Sequence, residues 1–242
     1  MRGKKNAYGE FHPIQSGGRM VPYEDDQILF SIGDYRFRDH AQDERNVLGK
    51  IVAISIRSRE PKIVSMGHRN VQGIHYLHKE DIIISTEHGP DGGNEINVNL
   101  SPGKEVKNYG WPISSYGEHY GVPERSSSHL KYQKAPLDKS HSDYGFVEPV
   151  KYFTPAIAIS EIVKISSRSG DTNQFLVAAM GDKLREGDMS IDHIIFDDEF
   201  TLLESSIVPL NERVRDMIYI EEMDKVFLFM ETTASIGILE PN

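Results

Sequence analysis

The chain has 242 residues, no cysteine, and 27 basic against 37 acidic side chains, for a net charge of −10. That length can bury one large core or two small ones, and a hydrophobic share of 38% is too high for a disordered polymer. The acidic balance argues against a polyanion partner such as DNA, the missing cysteines exclude disulfides, thiolate metal sites and cysteine nucleophiles, and no apolar run approaches the ~18–20 residues of a membrane helix.

The start, Met1-Arg2-Gly3-Lys4-Lys5, is basic but no apolar segment follows it, so a signal peptide is not visible. Either the protein stays in the cytoplasm or the chain begins downstream of its real start. Beyond it the periodicity is that of strands. Ile28–Ile32, Lys50–Ile56, Lys62–Ser65, Ile82–Ser85 and Glu95–Val98 are short apolar or alternating runs, and Phe175–Met180, His193–Phe196, Val226–Met230 and Ile236–Leu239 continue them. Gly, Asp, Asn or Pro clusters bound each run. Leu210–Glu222 has some helical propensity, but its Val, Ile and Tyr favour a strand from Val214 to Ile220.

Many short, evenly spaced strands predict an all-β sandwich, barrel or propeller. A loose repeat selects the propeller: Gly-Gly-Arg-Met…Ile-Leu-Phe-Ser-Ile-Gly-Asp, then Val-Gln-Gly-Ile-His-Tyr…Ile-Ile-Ile-Ser-Thr-Glu-His-Gly, then Arg-Val-Arg-Asp-Met-Ile-Tyr…Val-Phe-Leu-Phe-Met-Glu-Thr. The spacing suits blades of roughly 40–50 residues. Blade-like units fall at about 17–65, 69–100 and 151–208, with an incomplete one at 213–239. The whole chain, 1–242, is expected to be a single partial propeller domain of about four blades. The stretch from about 101 to 150, rich in Ser, Pro, Tyr, His and Lys, interrupts the rhythm and reads as a loop insertion of the kind that walls an active face.

The densest chemistry lies in Gly67-His68-Arg69-Asn70-Val71-Gln72-Gly73, then Ser85-Thr86-Glu87-His88-Gly89-Pro90-Asp91-Gly92-Gly93-Asn94-Glu95, then Asn108-Tyr109-Gly110-Trp111-Pro112. Upstream stand Gln15-Ser16-Gly17-Gly18-Arg19-Met20, Ser31-Ile32-Gly33-Asp34, Ala41-Gln42-Asp43 and Leu48-Gly49-Lys50-Ile51; downstream stands Glu212-Arg213-Val214-Arg215-Asp216-Met217. In order and content this succession resembles the soluble glucose and aldose-sugar dehydrogenases that use pyrroloquinoline quinone (PQQ), the glucose/sorbosone dehydrogenase family. The resemblance implies a six-bladed propeller of which this chain is the later two-thirds, a naturally shortened protein being the other reading. It also implies PQQ and calcium as cofactors, oxidation of an aldose to its lactone, an external electron acceptor, and a periplasmic or secreted location.

Site residues follow from the same resemblance. Arg213 and Arg215, two apart on one strand face, would hold the carboxylate edge of PQQ, since planar guanidinium suits carboxylates and flat rings; an exposed strand paired to Asp216 or Glu212 is the plainer alternative. Arg69 and Asn70 would stand beside the reacting carbonyl as a preorganised cation and amide, with Gln72 close by. The carbonyls of Gly89 and Pro90 would hold calcium, a hard cation that takes such oxygens, with Asp91, Asn94 and Glu95 as supporting ligands; a Gly-rich turn explains the same residues, which lack EF-hand spacing. Asn94 stands where relatives often carry an acid. Lys183 could replace a cofactor-binding lysine that some relatives place at Gly181.

The base departs from the family. Where relatives carry the histidine that accepts the sugar's hydroxyl proton, this chain has Gln15, while Asp34, which would orient that base, is retained. His12, three residues upstream, could substitute or be an ordinary surface histidine. Tyr109 and Trp111 read as packing residues, and His40, His75, His78, His119, His129, His141 and His193 as surface residues. Three functions are in view: a PQQ-dependent sugar dehydrogenase, a catalytically impaired propeller that binds carbohydrate or protein, and a metal-dependent lactonase, the last needing a carboxylate-rich centre that is not visible. An open propeller would leave strand edges that invite self-association.

Overall fold

The alternating runs form sixteen strands in four mainly antiparallel sheets, seen in a computed structural model that describes residues 14–122, 125–167, 172–181 and 189–240. The first blade holds β1 (Gly17–Tyr23), β2 (Gln27–Ile32), β3 (Lys50–Ser55) and β4 (Pro61–Met66). The second holds β5 (Val71–Leu77), β6 (Ile82–Glu87) and β7 (Asn94–Asn99). The third is β10 (Ile159–Ile165), β11 (Asn173–Ala179), β12 (Ser190–Phe196) and β13 (Leu202–Pro209). The fourth has three strands, β14 (Val214–Ile220), β15 (Lys225–Met230) and β16 (Ser235–Leu239). Each sheet is open, and within each blade sequential strands are hydrogen-bonded neighbours.

Apolar faces of adjacent blades meet, and the core lies between sheets. Leu29, Ile51, Ala53 and Val64 of the first blade pack on Ile74 and Ile83 of the second. Ile84, Ile96 and Val98 from the other face of the second blade pack on Ile162, Phe175 and Ile194 of the third. Leu176, Ala178 and Ile191 pack on Met217, Val226 and Leu228 of the fourth. Period-2 side-chain alternation lets a central blade supply both seams. The outer face of the fourth blade has no such neighbour among the described residues and exposes Ile218, Phe229, Ile236 and Ile238.

Two departures from the expected blade limits concern the insertion. Lys151, expected to open the third unit, instead begins β9 (Lys151–Phe153), which pairs with β7 as the outer strand of the second blade. At the other end β8 (Lys107–Asn108) pairs parallel to β4 at the edge of the first blade. The intervening chain is no bare loop: it carries a short helix, α1 (Leu130–Lys134), and its Trp111, Tyr132, Ala135 and Leu137 form a small core with Ala41. That packing seats the insertion over the loop between β2 and β3.

Innermost strands converge on one cation. Arg19 on β1 donates through Nε to the Gln72 carbonyl on β5 at 3.0 Å. Its Nη1 lies 2.6 Å from Glu161 Oε2 on β10 and 3.2 Å from Asp216 Oδ1 on β14. All four blades are therefore tied through a single guanidinium. Burial, followed by the neighbouring Asp216 carboxyl, pushes Glu161 up to about 8 against the pull of Arg19.

Candidate cofactor and substrate site

Gln15, Asp34 and Arg69 are brought together by three backbone segments held in register. Gly33 N donates to Ser16 O, Tyr35 N to Gln15 O and Asp34 N to Arg69 O at 3.0, 3.1 and 2.9 Å. The packing demands glycine at 33, because a Cβ there would lie 1.9 Å from the Gln15 carbonyl oxygen. Gln15 has a φ of 62°, an uncommon conformation for a side-chain-bearing residue. In the amide orientation that satisfies both neighbours, its nitrogen donates to Asp34 Oδ1 at 2.8 Å and its oxygen accepts from Arg69 Nη2 at 2.7 Å.

Asp34 is fully buried and accepts two more bonds, from Arg36 N to Oδ1 and from Trp111 Nε1 to Oδ2, both at 2.8 Å. Burial raises its pKa; Arg69 and these donors act the other way. Trp111 was expected only to pack. It also carries two cations, Arg38 at 5.3 Å and Arg69 at 5.5 Å from its ring centre, a contact worth about 0.5–2 kcal/mol each. Arg69 is further fixed by Nη1 donating to His88 O at 2.8 Å and by its backbone N–H donating to Glu87 Oε1. Behind it Glu87 Oε2 meets His68 Nδ1 at 2.8 Å, and His68 Nε2 meets Ser65 Oγ at 2.8 Å.

Next to this group, Asn70 Oδ1 accepts from Gly17 N at 3.0 Å and from Gln72 Nε2 at 3.1 Å. Two buried ring or guanidine nitrogens here, Arg69 Nε and His88 Nε2, have no hydrogen-bond partner. Burial and the nearby Arg69 charge push His88 down to about 4, so it is neutral. Arg213 and Arg215 do share one side, as their spacing predicts, but their common partner is neither Asp216 nor Glu212. Glu231 binds both, Arg213 Nε at 3.0 Å and Arg215 Nη2 at 2.7 Å. Arg213 Nη1 also donates to Met180 O, and at 3.3 Å to Gly181 O.

Of the residues expected around calcium, Asn94 and Glu95 engage other partners. Gly89 sits in a turn so tight that a Cβ would meet Gly93 O at 1.6 Å, and Pro90 O accepts from Gly93 N at 3.1 Å. Asn94 Oδ1 accepts from Ile159 N at 3.3 Å. Glu95 is buried with His141, 3.5 Å from its Nε2, and with Asn97 Nδ2 at 3.5 Å. Asp91 pairs through its backbone with Glu118. Among the described residues no three carboxylate or imidazole groups gather around one point. His12 and Lys183 lie outside the described residues.

A cleft of about 990 Å³ opens above Gln15 and Arg69. Its walls are the loop Arg36–His40 and, from the insertion, His119, Tyr120, Leu130, Lys131 and Lys134. His40 and His119 were expected at the surface; the insertion folds them into this cleft. His119 Nε2 donates to Ala135 O at 2.8 Å, which leaves Nδ1 to accept from Arg38 Nη1 at 3.3 Å. Beneath the loop, Lys50 is fully buried and donates to the carbonyls of His40, Ala41 and Leu48 at 2.8, 2.9 and 2.9 Å. Lys50 stands in the Leu48–Ile51 block without an assigned role, and nothing in the sequence marks Glu231.

The family model described as Glucose / Sorbosone dehydrogenase matches residues 5–237. The chain belongs to this family. It is 28% identical over 224 residues to the uncharacterized protein slr1608 of Synechocystis sp., covering 83% of this chain and 50% of that one. It is 31% identical over 157 residues to the aldose sugar dehydrogenase YliI of Escherichia coli, covering 60% of this chain and 38% of YliI. The chain thus spans half or less of these curated relatives' length. Among solved structures, the apo form of the E. coli soluble aldose sugar dehydrogenase superposes with a TM-score of 0.71 at 22% identity, over 93% of this chain and 64% of that one. The PQQ-bound aldose sugar dehydrogenase of Streptomyces coelicolor gives 0.62 at 20% identity, over 90% and 57%. These likenesses establish the all-β propeller fold for this glucose/sorbosone dehydrogenase family member.

Proposed function

We propose that this chain carries the cofactor and sugar face of a PQQ-dependent dehydrogenase that oxidises an aldose to its lactone and passes the electrons to an outside acceptor. The observation that carries the reading is the joined group Gln15–Asp34–Arg69–Trp111 beneath a cleft, next to two buried nitrogens that lack partners. A flat tricarboxylate fits this surround. Arg213 and Arg215 would take carboxylates, and Asn70, Arg69 and His88 would supply donors to the ring's polar edge. When bound, PQQ supplies the two-electron acceptor for a sugar C–H bond.

The protein's part is positioning and charge. Arg69, braced by Trp111, His88 O and Gln15, presents a fixed cation to the reacting edge, where a preorganised donor is worth most. Gln15 orients a hydroxyl but does not take its proton, because a carboxamide is not basic at neutral pH. Proton removal would then be slow, falling to water or to a cleft imidazole. Calcium would draw on the Gly89 and Pro90 carbonyls, since Asn94 and Glu95 are engaged elsewhere. The second reading, a propeller that binds carbohydrate without turnover, is favoured by one observation: the Gln15 amide satisfies Asp34 and Arg69 at once.

Titrating the chain with PQQ, first with calcium and then with a chelator, tests the proposal. Stoichiometric binding that weakens when Arg213 or Arg215 becomes alanine supports it. Sugar binding by a folded chain with no PQQ binding would establish the binding module instead. A periplasmic or secreted location, which the family resemblance implies, belongs to the same proposal.

A further inference from the structure

The cleft over Gln15 has a charge opposite to that of the protein. The chain holds 27 basic and 37 acidic residues, yet the cleft is lined by Arg36, Arg38, Arg69, Lys131 and Lys134 against the single carboxylate of Asp39. Arg38 is held by Trp111 and His119, both uncharged partners. Lys131 and Lys134 lie a turn apart on α1 and are exposed; Lys131 donates to the Tyr120 carbonyl. No ion pair to a carboxylate is formed by Arg38, Lys131 or Lys134 among the described residues. These three cations, gathered in one concave wall, focus potential on whatever enters.

Arg38, Lys131 and Lys134 are not among the residues suited to the cofactor. Arg213 and Arg215 lie outside the cleft lining, paired to Glu231. Arg38, Lys131 and Lys134 belong to the insertion and to the loop it covers, so they face whatever is held above Gln15. We propose that the sugar taken by this site carries an oxyanion, a carboxylate or a phosphate, which Arg38 and the α1 lysines receive. This rests on the dehydrogenase reading only in that the anion is carried on a sugar. Guanidinium gives the forked contact and the two ammonium groups give mobile point charges. Neutral aldoses would enter without using any of the three.

The only tryptophan, Trp111, lies against Arg38 and Arg69, so its fluorescence reports occupancy directly. The chain is titrated with D-glucose, D-glucuronate and D-glucose 6-phosphate at low ionic strength, and PQQ binding is followed separately by equilibrium dialysis. The expected result is binding of one or both anionic sugars at least about tenfold tighter than glucose. Which one prevails decides between carboxylate and phosphate. Lys131→Gln/Lys134→Gln, on an exposed helix face, should erase most of that preference and leave glucose and PQQ affinities unchanged; Arg38→Gln should act in the same direction. Equal affinity for glucose and both anions overturns the proposal. So does a Lys131→Gln/Lys134→Gln variant that loses PQQ instead of anionic sugar, because the cations would then serve the cofactor. Anionic-sugar binding in a chain that fails to bind PQQ would sink the dehydrogenase reading and leave this one standing.

Discussion

Replacing Gln15 by histidine should restore a base to a site that already holds its orienting partners. Gln15 sits 2.8 Å from Asp34 Oδ1 and 2.7 Å from Arg69 Nη2. An imidazole in its place would donate Nδ1–H to Asp34 and turn Nε2 to the Arg69 side of the cleft. At an effective dielectric of about 20, a unit charge at that separation is worth roughly 6 kcal/mol. The carboxylate favours imidazolium and the guanidinium opposes it, and nearly equal distances leave a difference of a few tenths of a kcal/mol. The new histidine should therefore titrate within about a unit of 6.5 and be mostly neutral at pH 7.5. General-base assistance of this kind is worth about 10²–10⁴-fold. Initial rates of dye-linked sugar oxidation by PQQ-loaded protein, measured from pH 5 to 9, should rise by at least a hundredfold and acquire a limb near pH 6–7 that the parent lacks. A variant that binds PQQ like the parent but is no faster, with an unchanged pH profile, would refute the placement of the proton acceptor at residue 15.

Further expectations follow from other contacts. Arg213→Ala and Arg215→Ala should each weaken PQQ binding by about ten- to a hundredfold, the worth of one charge-assisted hydrogen bond, in equilibrium dialysis; Glu231→Gln, which only removes their shared partner, should move it far less. Lys50→Met should cost about 2–4 kcal/mol in urea unfolding, because three buried carbonyls lose their donor; a cost below about 1 kcal/mol would mean the loop does not depend on it. Glu161, at about 8 in the fold against 4.5 when unfolded, makes the native state the stronger proton binder between those values. Stability should thus fall by a few kcal/mol as pH rises from 5 to 8, and Glu161→Gln should flatten that slope in urea melts at pH 5, 6.5 and 8.

Strands with clean alternation were legible in the sequence, as was β14, whose expected span Val214–Ile220 is the one observed. β10 was not, because an inner strand buried on both faces carries Ser160 and Glu161 among its apolar residues and so loses period-2 contrast. β13 was hidden for the opposite reason: it is an exposed edge with Glu204-Ser205-Ser206 at its centre. Ordered motif blocks placed Gln15, Asp34 and Arg69 in one site although 54 positions separate Gln15 from Arg69. The cationic wall was illegible because it forms only when α1 folds back over the loop at 36–40. Likewise Glu231 lies two strands from the arginines in sequence and meets them only through the pairing of β14 with β15.

The insertion enters as an edge strand of one blade and leaves as the outer strand of the next. Both junctions are thus written into sheets that do not need the residues between them. The stretch from Pro112 to Pro149 lies between these two anchors, so its length and composition can vary while β8 and β9 keep their registers. That makes the segment a transplantable cassette: exchanged between relatives at these two strands, it would carry its own cleft wall onto an unchanged blade scaffold. Trp111 sets the limit of the exchange, since the indole just ahead of the cassette holds Asp34 and Arg69 in place.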